Sequence, residues 1–425
     1  MFAVLRHRNF RLLWLGQSTS MLGDAMVIVA IGLFVTRLTG NPSDVGIVLT
    51  AYSAPLVVFV LFGGVIADRL PRQLVMISAD VVRGVVHTVL AVLIATGNVR
   101  IWHMVIIGLL FSTAEAFFRP AYTGLVPQTV PESEIQSAQA LSGVSREIAT
   151  FASPALATAL VLGVGGAAAF GLDAATFAVS ALLLMRVHAR ERGTPVERSS
   201  MWNELKEGGR AVAERSWVWA TITAFSFSIL VALAPFFVLG ASVAKDVYGN
   251  EAVYGFANAA WGIGTVSGAI WGARWKPHRP LRAAMAAAVP WPATITLYAL
   301  GWPLWVVYGS MIIGGVGIGL FAVWWETAIA QRIPPHLISR VSSFDWMGSL
   351  LLLPLGYLLS GPAAAAFGEV QVLVVGGLLG LAACACGLLP HSTRHLTRHE
   401  EDPVDASPAD GSAGDASAAV AGVNG

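Results

Sequence analysis

The residues that could do chemistry are ionisable side chains inside long apolar runs. Asp24 falls near the middle of the first such run of the 425-residue chain. Glu115 and Arg119 lie four apart in a later run and so share a helix face. Arg146 and Glu147 are adjacent, which turns them about 100° apart on a helix and keeps both from serving one point. Each such group costs roughly 2.5–3.5 kcal/mol at a bilayer centre unless it meets a cavity or a partner. The chemistry that fits is proton uptake and release, because a carboxyl in an apolar chamber can trade its proton for a cationic substrate or a change of access. Asp24 and Glu115 are the preferred proton-coupling candidates, with Glu147 beside them. Each has a plainer alternative: a packing hydrogen bond to Ser18, Thr19 or another span for Asp24, an ion pair with Arg119 for Glu115, and an inter-helix salt bridge for Arg146 or Glu147.

Asp80, Arg83 and His87 are three and four apart within another apolar run and read as a structural charge network, with which Asp345 is grouped. Glu326 and Asp345 fall near the ends of later runs, as gate partners or as residues that water reaches. Trp324 and Trp325 stand next to Glu326; with Arg119 and Arg146 these are the substrate-cavity candidates, since an aromatic wall beside carboxylates suits lipophilic cations. A second constellation is the turn Gly63-Gly64-Val65-Ile66-Ala67-Asp68-Arg69-Leu70-Pro71-Arg72, whose acid and arginines belong at a water interface. Gly64, Asp68, Arg69 and Arg72 are assigned to gating, because charges that pair in only one conformation bias an equilibrium between two. No phosphate-binding loop, metal-ligand cluster or nucleophile with a positioned base occurs, so an enzyme, a cofactor and a metal site are not expected.

The elements that must position these groups follow from composition. With 56% hydrophobic and 12% charged residues and a mean hydropathy of +0.68, the chain reads as a polytopic membrane protein in a cell membrane. A net charge of +1, with arginines parcelled into short loops, excludes a nucleic-acid partner. Cys384 and Cys386 read as small core residues. About twelve apolar windows are long enough to cross: 10–36, 44–67, 74–97, 102–126, 137–163, 165–187, 217–241, 251–273, 281–300, 303–328, 340–362 and 368–389. The first is too long, with Asp24 at its middle, for a cleaved leader and is expected to be retained. The division of the fifth and sixth windows rests only on Gly163-Val164-Gly165-Gly166.

Lysines and arginines cluster before the first window, after the second, between Arg186 and Arg215, and after the eighth, so both termini are expected to be cytoplasmic. The expected divisions are a six-helix bundle over 1–187, a cytoplasmic linker over 188–216, a second six-helix bundle over 217–390 and a disordered tail over 391–425. A repeat supports the halving. Gly46, Gly63 and Pro71 recur as Gly255, Gly272 and Pro280 at an offset of 209, and Gln128, Pro131 and Ile135 recur as Gln331, Pro334 and Ile338 at an offset of 203. The fold class is therefore all-α and integral to the membrane, in two pseudo-symmetric parallel halves.

The turn Gly-x-x-x-Asp-Arg-x-x-Arg at 64–72 resembles the loop between the second and third helices of the major facilitator superfamily of secondary transporters. The opening Asn9-Phe10-Arg11-Leu12-Leu13-Trp14, then Leu22-Gly23-Asp24 and Ala79-Asp80-Val81-Val82-Arg83, resemble its branch of macrolide-efflux proteins and enterobactin exporters. The resemblance covers roughly residues 8–390. It implies a proton-coupled exporter of small amphipathic molecules, working by alternating access as a monomer, with a small-molecule substrate, protons and the lipid bilayer as its partners. It also implies that the 64–72 loop meets the eleventh helix. The second copy of that loop has Pro277 where Asp68 would align, and the fifth-helix antiporter motif has small residues, Ala152-Ser153-Pro154-Ala155, in place of its glycines. Uptake of a nutrient or siderophore, or a receptor that kept the fold without transport, are the alternatives.

Overall fold

A computed structural model describes the backbone of residues 2–188, 206, 209–275, 277–334, 337, 341, 344–345, 347–348, 350–390 and 393, and their side chains except at 2, 60–69 and 330. Most of the 188–216 linker, the 391–425 tail but for one residue, and the side chains of Gly64, Asp68 and Arg69 lie outside the described residues.

The described chain is helical, with no strand among the described residues. The first half comprises α1 (Arg8–Thr39), α2 (Pro42–Arg69), α3 (Arg72–Ala95), α4 (Ile101–Leu125), α5 (Ile135–Gly163) and α6 (Gly166–Leu184). After 3₁₀ and irregular connections the second half comprises α7 (Ser216–Tyr248), α8 (Ala252–Arg274), α9 (Pro280–Ala288), α10 (Trp291–Ala299), α11 (Leu304–Arg332), α12 (Leu353–Phe367) and α13 (Glu369–Cys386). Eight helical stretches among the described residues are long and apolar enough to cross a bilayer, and α12 is a shorter apolar one. Two boundaries have local causes. The break after α5 is made by Gly165 at φ 119°, a backbone state that side chains resist. The ninth window, expected as one helix, is two: Pro290 and Pro292 supply no N–H where the ladder would continue, so the chain turns at Val289-Pro290.

The two halves pair their helices alike. α2 packs on α4 as α8 packs on α11, and α3 packs on α4 and α6 as α9 and α10 pack on α11 and α13. Small residues permit this closeness in the second half. Gly264 and Gly268 rest against the backbone of α11 at Ile312 and Val316, while Gly315 and Gly319 rest against α8 at Trp261 and Thr265. Four glycines, each pair one turn apart, thus let two backbones touch where lipid provides no hydrophobic drive.

The halves meet through α2 against α12, α5 against α8, and α1 and α2 against α7. Gly46 abuts the carbonyl of Tyr357, Gly361 abuts Ser43, and the Thr50 hydroxyl donates to the Pro354 carbonyl at 3.2 Å. Gly255 abuts Thr158, and Arg37 bonds Glu251. Gly46 and Gly255, equivalent in the sequence repeat, are thus equivalent contacts in the two seams. All these contacts lie toward the end of the molecule that carries the α1–α2, α5–α6, α7–α8 and α12–α13 connections. Toward the other end, Val144 and Ile148 of α5 are exposed, and a Cβ placed on Gly143 meets nothing within 4 Å among the described residues. Among the described residues the halves are therefore in close contact toward one end, while these α5 positions toward the other are uncovered.

Gly255→Leu is expected to force the α5–α8 seam apart, because even a Cβ there falls on the Thr158 hydroxyl. The cost of such overpacking is about 1–3 kcal/mol. Spin labels on the α5–α6 and α7–α8 connections would read a longer distance and detergent melting a lower midpoint; unchanged values of both would refute the seam.

Candidate functional site

Helix α3 sets one face of a buried cluster by placing Asp80, Arg83 and His87 on successive turns, all fully buried. Arg83 is its hub. Its Nη2 donates to Asp80 Oδ1 at 2.5 Å and its Nη1 to Asp24 Oδ2 of α1 at 3.3 Å. The guanidinium lies 4.3 Å from the ring centroids of both Phe118 and Phe177 and 5.8 Å from that of Phe111. Asp80 is further satisfied by the Ser180 hydroxyl of α6 at 2.6 Å, to which Gln17 of α1 donates at 3.1 Å. Pairing, hydrogen bonds and aromatic faces together let an arginine stay charged in an apolar interior.

One turn on, His87 stands between two partners. Its Nδ1 is 2.5 Å from Asp173 Oδ2 of α6, and its Nε2 is 3.0 Å from the Tyr52 hydroxyl of α2. The ring stacks on Phe111 at 4.3 Å and 12°. Gly23 is required here: a Cβ at that position would fall on the Asp173 carboxylate and 2.7 Å from Thr176 Oγ1, so α1 lies directly over the acid. Asp173 and Tyr52 were not among the sequence candidates. Asp173 carried the same signal as Asp24, an acid well inside an apolar window, whereas a tyrosine in such a run is ordinary and gave none.

Asp24 differs from its neighbours. Its side chain is 28% exposed, against 1% for Arg83 and 0% for Asp80. Its one ion-pair contact is long, and its Oδ1 has no hydrogen-bond partner. Of the packing alternatives for Asp24, the bond to another span is the one seen, from Arg83 of α3; Thr19 donates to the Leu15 carbonyl and the Ser18 hydroxyl has no partner among the described residues. Glu115 is paired with Arg119, whose Nε and Nη2 both donate to Glu115 Oε1 at 2.9 and 2.5 Å. That is the ion-pair alternative for Glu115, on a face where Arg119 is half exposed. Arg146 and Glu147 of α5 are both exposed toward the uncovered end. Glu326 of α11, also exposed, lies close enough to feel the charges of both.

Other sequence candidates sit elsewhere. Trp324 and Trp325 are buried rather than lining open space: the Trp324 indole donates to the Gly272 and Trp275 carbonyls at 3.2 and 3.1 Å, and the Trp325 indole to Asp345 Oδ2 at 2.8 Å. Their large apolar rings fill the packing between helices, which outweighs the polar edge that suggested a cavity wall. Asp345 therefore belongs to the second half, apart from the Asp80–Arg83–His87 network. Arg72 bonds the Gly124 carbonyl, tying the start of α3 to the end of α4 within the first half.

Comparison with known proteins agrees with this architecture. The profile of the Major Facilitator Superfamily matches residues 13–351. Macrolide efflux protein A of Streptococcus pyogenes is 21% identical over 379 residues, covering 87% of this chain and 93% of that protein. The multidrug efflux pump Tap of Mycolicibacterium fortuitum is 26% identical over 360 residues, covering 81% and 87%. Among solved structures, the nucleoside transporter NupG superposes with a TM-score of 0.66 at 12% identity, over 91% of this chain and 99% of that one. A bacterial homologue of the human lysosomal transporter Spinster, in an inward-facing and unoccupied conformation, superposes with a TM-score of 0.69 at 15% identity, over 91% and 97%.

Arg83→Ala would leave Asp80 buried without its cation. Removing one partner of a buried pair costs about 3–5 kcal/mol, so the variant is expected to melt well below the parent in detergent. Arg83→Ala combined with Asp80→Ala should recover part of the loss, and a double variant no more stable than the single one would show that the pair is not the hub.

Proposed function

The chain belongs to the major facilitator superfamily, and on that premise we propose that it is a proton-coupled exporter of small amphipathic molecules working by alternating access. The observation that carries this reading is Asp24: a carboxyl deep in a membrane helix, partly exposed, loosely held by Arg83 and with one oxygen unpartnered. Such a group can lose its proton and move toward the arginine, or gain it and let go, at little structural cost. Glu115 is tied up by Arg119, which leaves Asp24 as the coupling residue and the Glu115–Arg119 pair as part of the chamber wall. Arg146, Glu147 and Glu326, exposed toward the uncovered end, complete a polar lining suited to a molecule with both charge and apolar bulk.

The uncovered end faces the cytoplasm in this reading. Helix ends that carry Arg6, Arg8, Arg11, Arg69 and Arg72 lie there, as the positive-inside rule requires. The likeness to an inward-facing structure supports the same orientation, and the efflux relatives support export. Twelve crossings, the two bundles at 1–187 and 217–390, cytoplasmic termini and a working monomer belong to the same proposal. So does a gate at Gly64, Asp68, Arg69 and Arg72, in which Arg72 anchors the turn through Gly124.

In proteoliposomes with an imposed pH gradient, wild type is expected to move lipophilic cationic dyes or macrolides against their gradient. Asp24→Asn is expected to abolish that accumulation while leaving the protein folded by size exclusion. Undiminished gradient-driven accumulation by Asp24→Asn would remove this residue from the mechanism, and flux indifferent to the gradient in wild type would remove proton coupling.

A further inference from the structure

The buried cluster has a charge count that Asp24 alone does not settle. The cluster holds three carboxylates and one guanidinium: Arg83 bonds Asp24 and Asp80, and Asp173 pairs with His87. The nearby Glu115 is matched by Arg119 and adds nothing net. With every carboxylate ionised and His87 neutral, the cluster would hold two uncompensated negative charges among Phe111, Phe118, Phe170 and Phe177. An isolated charge is costly there, and neutralisation is what such interiors enforce. A proton on Asp24 removes one charge. The other sits where water cannot help, since Asp173 and His87 are 1% and 0% exposed.

We propose that Asp173 and His87 form a second proton-binding site, distinct from Asp24, which holds one proton in the conformation seen here and exchanges it when α1 moves off Asp173. The groups facing His87 are accounted for on every packed element. Asp173 comes from α6 and Tyr52 from α2; α4 offers the Phe111 ring, with Glu115 and its arginine a turn beyond; α3 itself carries Asp80 and Arg83, which satisfy each other. The route is also visible. Asp24 Oδ1 and Asp173 Oδ1 are both buried without a hydrogen-bond partner, and Gly23, the residue next to Asp24, lies on the Asp173 carboxylate. A displacement of α1 thus uncovers the Asp173 oxygen.

The proton balance fixes the role of Tyr52. Loaded, His87 is an imidazolium that donates from Nδ1 to Asp173, and from Nε2 to the Tyr52 oxygen. Unloaded, Nδ1–H still donates to Asp173 while Nε2 becomes an acceptor, so the Tyr52 hydroxyl must turn round and donate. The proton lost goes to the Asp24 carboxylate or to water. Tyr52 belongs to α2, the helix that closes against α12 through Gly46 and Thr50, so occupancy of the site is communicated to that seam.

This deepens the transport reading and rests on it only for its consequence; proton binding itself needs no substrate. Infrared pH-difference spectra of the full chain in nanodiscs, with ring-labelled histidine, are expected to show two protonation steps over the pH range in which the protein stays folded. Asp24→Asn should lose one step, and both Asp173→Asn and His87→Gln should lose the other, together with its histidine-ring component. Folded Asp173→Asn and His87→Gln that keep both steps would overturn the proposal. If either fails to fold, Tyr52→Phe decides, because it keeps the ring and removes only the hydroxyl: a displaced histidine-ring step supports the site, and an unmoved one overturns it. Failure of proton-driven transport in wild type would leave the spectra untouched, and a wild type that transports but shows no step tied to Asp173 and His87 would sink only this inference.

Discussion

One buried cation organises the first half of the molecule. An arginine inside a membrane helix must be matched by charge and by hydrogen bonds or it leaves the interior, and the matching of Arg83 draws on most helices around it. α1 supplies Asp24, α3 supplies Asp80, α4 supplies Phe111 and Phe118, and α6 supplies Phe177 and the serine that steadies Asp80. These contacts are unequal. The bond to Asp80 is short and enclosed, while that to Asp24 is long and its carboxyl side chain partly exposed. Change is cheapest at the weaker contact, the one that α1 makes.

The second half solves its packing differently. Among the described residues, the fully buried ionisable side chains Asp80, Arg83, His87 and Asp173 belong to α3 and α6. In α7 to α13 tyrosine hydroxyls meet backbone carbonyls, as when the buried Tyr298 donates to the Gly240 carbonyl at 2.5 Å and the half-buried Tyr248 to that of Tyr298 at 2.7 Å. Neutral bonds of this kind do not depend on a charge. Close glycine contacts bring α8 and α11 together backbone to backbone.

Much of this was legible in the residues. The windows gave the first six helices to within a few residues, and the repeated glycines at 46 and 255 marked the two seams without revealing that they face the opposite half. Asp80, Arg83 and His87 were grouped from spacing alone, because a helix enforces that proximity. What spacing cannot show is the partner on another helix. Asp173 and Tyr52 join His87 from 86 and 35 residues away, and Trp325 finds Asp345 from 20 residues away. The tryptophans misled for a related reason: their number is visible in sequence, but whether a ring faces a chamber or a neighbouring helix is decided by the rotation of the helix in its bundle. The paired prolines that split α9 from α10 were visible too, and the weight of apolar residues around them concealed their effect.

The contacts across the seam are shallow. Gly46 against a tyrosine carbonyl, Gly361 against Ser43 and Gly255 against Thr158 are contacts of backbone with small groups, so their separation leaves no deep socket behind. The ion pair that spans the seam, Arg37 with Glu251, has its arginine side chain 44% exposed, and exposed pairs contribute only about 0–1 kcal/mol. An equilibrium resting on such contacts is shifted by small energies. A single unit of pKa difference between two conformations amounts to about 1.4 kcal/mol, roughly a tenfold change in their ratio. The shallow contacts at the seam and the energy of one protonation in the first-half cluster are therefore of the same scale.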